Sequence, residues 1–82
     1  MVQKESSDYL IEFGKNLKKF RTKKKLSLRK LAAACNVDHS DIGKIEKGEI
    51  NITLLTLLEL AKGLEIHPKK LMDFAFDTEQ NF

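Results

Sequence analysis

Two short apolar patterns lie only three residues apart, and that spacing narrows the folds open to this chain more than any other feature. Leu28, Leu31, Ala32 and Cys35 fall at helical spacing, then Asn36-Val37-Asp38, then Ile42 and Ile45. Ser27 is an N-cap for the first pattern, since its side-chain oxygen can accept a bond from an orphan backbone N–H. Asn36, which tolerates the left-handed conformation, is the expected terminator. Asp38 caps the second pattern and Gly48 stands where a helix-ending glycine belongs. The spacing predicts helices over about 28–35 and 39–47. Two helices joined by so short a turn must cross steeply, which is helix-turn-helix geometry.

The flanking segments are helical too. Leu10, Phe13, Leu17 and Phe20 recur at spacings of three, four and three, one apolar stripe on an amphipathic helix over about 8–24, capped by Ser7 or Asp8. Leu54, Leu57, Leu58 and Ala61 give a fourth helix its apolar face, over about 54–62, with Thr53 as cap and Gly63 as stop. His67-Pro68 opens a fifth, with proline at the permitted first position and Leu71, Met72 and Ala75 on its apolar side. No stretch alternates long enough to be a strand. The expectation is one all-α domain of five helices over 8–76, with a flexible lead-in at 1–7 and a short tail at 77–82. A chain of 82 residues is too short for a TIM barrel or a full Rossmann domain.

Charge is segregated along the chain. Residues 14–30 hold Lys15, Lys18, Lys19, Arg21, Lys23, Lys24, Lys25, Arg29 and Lys30 and no acid, within a chain whose net charge is only +3. Such asymmetry points to a polyanion-facing surface, although Lys15, Lys18 and Lys19 read more simply as a solvated helix face. No apolar run approaches membrane-spanning length and no signal peptide is visible, so the expected setting is the cytoplasm, with no membrane partner. The sequon Asn51-Ile52-Thr53 carries no weight without secretion, because Thr53 has a capping role.

An enzyme is not expected. His39 and His67 have no metal-ligand or nucleophile spacing to the single cysteine, Cys35, and no glycine-rich phosphate loop is present. No metal, cofactor or small-molecule ligand is expected, and Cys35 reads as a small core residue.

In order, Ser27, Leu31, Ala32, Val37, Ile42, Ile45, Glu46 and Gly48, then Asn51, Thr53, Leu54, Leu57, Leu60 and Ala61, resemble the pattern of Cro/CI-type (XRE family) helix-turn-helix proteins over about 13–72. The chain looks most like stand-alone regulators such as restriction–modification controller proteins. That resemblance implies a lambda-repressor-like fold with the helix-turn-helix in the second and third helices. It also implies a transcriptional regulator, repressor or activator, that binds double-stranded DNA as a homodimer on a pseudo-palindromic operator. The third helix would be the recognition helix, with His39, Ser40 and Lys44 facing bases and Asp41 nearby. Ser27, Arg29, Lys30, Lys47, the Gly48 N–H and Asn51 would contact phosphates. Arg21 and Glu46 match a family ion pair that locks the third helix to the first. The sequence departs from the family pattern at Leu28, where many members carry Gln, and at Gly43, where many carry Ser.

Leu55 falls at a position that is often polar in that family. Together with Ile66, Phe74 and Phe76 it offers more apolar surface than so small a core needs, which suggests a dimer interface on the fourth and fifth helices. The alternative reading is an antitoxin or other partner-binding protein with a helix-turn-helix core. The six residues after Phe76 offer little to wrap a partner.

Overall fold

The structure, a computed structural model, describes residues 6–74. It contains α1 (Ser6–Lys23), α2 (Leu28–Ala34), α3 (His39–Glu46), α4 (Leu54–Leu64) and α5 (Pro68–Leu71), with no strand among the described residues. The all-α, five-helix architecture expected from the sequence is the one found.

Three helices start on the residues expected as caps, Ser27, Asp38 and Thr53, and α5 starts on His67, a cap not expected from the sequence. The Ser27 side chain accepts from the Lys30 N–H at 3.0 Å, and Thr53 from the Thr56 N–H at 3.2 Å. Asp38 accepts from the Ser40 N–H at 3.1 Å, and His67 Nδ1 from the Lys69 N–H at 3.1 Å. Each side chain satisfies a donor that the first turn leaves orphaned.

α1 packs on α3 and α5, α2 on α3 and α4, and α4 on α5. Their shared core is Phe13, Leu17, Leu31, Ile42, Ile45, Leu60, Ala61, Leu64 and Leu71. Asn16 is buried with them and donates from Nδ2 to the carbonyls of Lys70 and Leu71, both at 2.9 Å. Both carbonyls lie at the C-terminal end of the one-turn α5, where side-chain donors can supplement the few helical bonds, so Asn16 ties α5 to α1.

The helix ends differ from expectation at three places. Asn36 does not stop α2 in the left-handed region. The helix ends with Cys35 extended (φ −142°), and the Asn36 N–H reaches across to Glu59 Oε1 at 3.2 Å. Gly63 does not stop α4. A Cβ there would lie 2.9 Å from Cys35 Cβ and 3.0 Å from Leu31 Cδ1, so Gly63 is a contact point between α4 and α2, and the helix runs on to Leu64. The turn comes at Glu65 (φ 56°), where the Ile66 N–H bonds the Ala61 carbonyl at 3.0 Å, a Schellman-type closure. The buried side of α4 is accordingly Leu60, Ala61 and Leu64, while Leu54 and Leu58, expected in its apolar face, lie outside the core. Finally, α5 spans one turn only. Ala75, Phe76, the tail 77–82 and most of the lead-in lie outside the described residues.

Candidate nucleic-acid interface

α3 has two chemically opposite sides. Ile42 and Ile45 are buried in the core, whereas Ser40, Asp41 and Lys44 are exposed and His39 is half-exposed. Ser40, Lys44 and the capping Lys47 succeed each other at spacings of four and three, so they share one outward stripe. The four residues expected to face bases are thus gathered on the first turns and outer side of this helix.

The helix is held by α1. Arg21 Nε donates to Glu46 Oε2 at 2.6 Å and Arg21 Nη2 to Glu46 Oε1 at 3.0 Å, while Nη1 reaches the Leu26 carbonyl at 2.8 Å. The two side chains are 11% and 7% exposed. This is the bidentate geometry that makes arginine–carboxylate pairs strong and directional. The Glu46 hydrogen bonds hold the guanidinium proton more tightly than usual. The backbones meet nearby: a Cβ on Gly14 would overlap the carbonyl oxygens of Ile45 and Glu46. One arginine therefore joins α1, the loop before α2, and the end of α3.

At the start of α3 the Asp38 carboxylate accepts from both the N–H and the Oγ of Ser40. The Ser40 hydroxyl, then its N–H, stabilise the ionised form and hold the carboxyl below the ordinary aspartate range. His39 Nδ1 lies 3.8 Å from the other carboxylate oxygen.

At the far end of α3, Gly48 takes φ 76°, where a side chain is disfavoured, and a Cβ there would also meet Ile11. Its N–H, expected to face phosphate, instead donates to the Ile45 carbonyl at 3.0 Å. The tight helix exit engages this donor within the chain. Lys47 and Asn51 remain exposed on either side of it.

Ser27, Arg29 and Lys30 lie exposed at the start of α2. Leu28, half-buried, turns towards α3, and its Cδ1 would sit 3.6 Å from a Cβ on Gly43. The two departures from the family pattern thus pack against each other. Elsewhere in the basic segment, Lys15 pairs with Glu12 at 3.8 Å and Lys19 lies over the Phe20 ring at 5.3 Å. Cys35 is half-buried at the end of α2, and burial pushes its thiol pKa up.

Of the residues expected at a dimer interface, Leu55 is 73% exposed, and Leu54 beside it is 70% exposed. Ile66 and Phe74 pack against the protomer core, Phe74 edge-on to Phe13 with ring centroids 6.4 Å apart. Leu58 and Met72 are further exposed apolar side chains, and Leu54 and Met72 flank a mainly apolar groove of about 320 Å³. The helical period predicts Leu54 on the inner side of α4, and the structure leaves it outside the core. Its exposed place on the first turn of α4 is not revealed by that period.

Comparison with known proteins places this arrangement. Residues 17–71 match the family HTH_3, helix-turn-helix. The chain is 35% identical over 63 residues to Control protein C.BamHI of Bacillus amyloliquefaciens, covering 76% of this chain and 78% of that protein. It is similar to the restriction-modification controller protein C.AhdI from Aeromonas hydrophila, with a TM-score of 0.74 and 40% identity over 76% of this chain and 94% of that one. It also resembles the restriction-modification controller protein C.Esp1396I, solved as a tetramer in complex with its natural 35 base-pair operator. That match has a TM-score of 0.73 and 29% identity, and covers 79% of this chain and 86% of that one.

Proposed function

The chain belongs to the HTH_3 helix-turn-helix family, and on that premise we propose that it is a cytoplasmic transcriptional regulator that binds a pseudo-palindromic operator as a homodimer. The observation that carries this reading is the division of α3. Its inner side is sealed into the core and pinned by Arg21–Glu46, while its outer side carries Ser40, Asp41 and Lys44 exposed at helical spacing. A rigid helix with a polar outer stripe is what the major groove accepts, its N-terminal residues meeting base edges. Lys44 suits guanine O6 and N7, Asp41 suits cytosine N4, and His39 and Ser40 complete the reading surface.

Arg29, Lys30 and Lys47 flank that stripe with positive charge and are the proposed phosphate contacts, with Ser27 and Asn51 as neutral partners. They fix register on the duplex without reading sequence. The exposed apolar side chains around Leu55 supply the self-complementary patch that a two-fold dimer requires. The kinship with controller proteins, one of them solved on its operator, supports the same reading.

The test is selection of bound fragments from random-sequence DNA, followed by salt titration of the winners. The expected result is an inverted repeat with half-site centres about 10 bp apart or a multiple of that. Steep salt-dependent binding with no enriched sequence would mean that the basic segment supplies only non-specific attraction, and would favour a partner-binding protein.

A further inference from the structure

The Asp38–Ser40 contact limits what α3 offers to its surroundings. Asp38 Oδ2 accepts from the Ser40 N–H at 3.1 Å and also from the Ser40 Oγ. An ionised carboxylate has no proton to give, so the proton in the second contact belongs to the serine. Ser40 is exposed on the second residue of α3, where a recognition helix meets base edges. With its only hydroxyl proton held by Asp38, its Oγ presents lone pairs alone to whatever approaches.

We infer that Asp38 is a positioning residue that makes Ser40 a one-way hydrogen-bond acceptor, so that α3 selects a base bearing a major-groove amino group, adenine or cytosine, at the position Ser40 faces. Those two bases carry the major-groove donors, N6 of adenine and N4 of cytosine. Guanine and thymine present only acceptors there and would meet lone pairs with lone pairs. A serine is ordinarily neutral on this choice, because its hydroxyl turns to donate or accept as needed. Here turning away would exchange a bond to a charged acceptor for one to a neutral acceptor, and charge-assisted bonds are roughly twice as strong. It would also leave the carboxylate short of a donor beside an anionic duplex. The low pKa of Asp38 keeps it ionised throughout the neutral range.

This inference rests on α3 being the base-contacting helix, and the experiment separates the two claims. DNA selection is run in parallel on the wild type, Ser40→Ala and Asp38→Gly. Glycine is tolerated at an N-cap and returns the hydroxyl proton to Ser40. The wild type should show one column per half-site in which adenine or cytosine exceeds guanine or thymine by roughly five-fold, the worth of one net hydrogen bond. Ser40→Ala should level that column and leave the others intact. Asp38→Gly should keep the site but admit guanine or thymine in that column. Independently of DNA, the carboxyl-carbon titration of Asp38 should move to higher pH in Ser40→Ala. Guanine or thymine at the column that Ser40→Ala levels, or an amino preference that survives Asp38→Gly, overturns this inference alone. No column responding to Ser40→Ala does the same. No enriched site in any of the three overturns the reading of α3 as well.

Discussion

Arg21 and Lys44 are both cations of this basic chain, and their surroundings give them opposite uses. Arg21 is enclosed by its own fold and forms a two-pronged bond to Glu46. Removing it strands a nearly buried carboxylate, so Arg21→Ala should cost about 3 kcal/mol or more. In a domain of this size that lowers the melting temperature by more than roughly 10 °C. A thermal melt superimposable on the wild type would refute the lock. Arg21→Lys should recover only part of the loss, since lysine keeps the charge but not the fork. Lys44 is exposed and should leave stability alone. In the proposed complex Lys44→Ala should weaken binding to the selected site by about 1–3 kcal/mol and relax discrimination at one base pair. Lys47→Ala should weaken binding to all sequences alike and lower the salt slope by about one. Equal behaviour of the two variants in a binding titration would remove α3 from the role of reader.

Glycines show how the meaning of a residue depends on the element against which it packs. Gly43 and Gly63 both lie within helices, where replacement by alanine ordinarily gains up to about 1 kcal/mol. At Gly43 an added Cβ meets only Leu28 Cδ1, at an ordinary 3.6 Å, so Gly43→Ala should stabilise the protein by about 0.5–1 kcal/mol. At Gly63 the same Cβ lies 2.9 Å from Cys35 Cβ, and α2 and α4 must separate to admit it. Gly63→Ala should therefore destabilise, its clash outweighing the propensity gain. Urea midpoints moving in opposite directions for the two variants would establish the contrast, and midpoints moving together would refute it. Glu65 occupies the left-handed position that Gly63 was expected to fill. A strained non-glycine residue at that position costs on the order of 1 kcal/mol, so Glu65→Gly should raise the urea midpoint.

At the scale of the whole molecule, the question is what covers the apolar side chains that the five helices leave outside. Leu54 and Leu55 are more than two-thirds exposed, on a helix whose other side is already sealed. If they form the proposed two-fold interface, Leu55→Asp should leave the protomer fold intact, because the side chain contributes little to the core. The same change should shift sedimentation from dimer towards the 9.4 kDa protomer. Operator binding should fall with it, since each protomer holds only one half-site. A wild type that sediments as a monomer at high micromolar concentration would remove the interface and the two-fold operator together.

The order of helices, the three-residue turn and the N-caps at Ser27, Asp38 and Thr53 were legible in the sequence. Each depends on residues within a few positions of one another, through the helical period or one side chain reaching one backbone donor. The resemblance to helix-turn-helix proteins placed Ser40, Asp41 and Lys44 on the outer side of α3, and with Ile42 and Ile45 buried they are exposed there. Only the tertiary structure decided the role of Gly63, the burial of Asn16, the outward placement of Leu54, the occupied Gly48 N–H and the packing of Leu28 over Gly43. These depend on residues distant in sequence: Cys35 against α4, the end of α5 against α1, and the start of α2 against α3. A local pattern states which side of a helix is apolar, but the neighbouring helices decide how far along its length that side is covered.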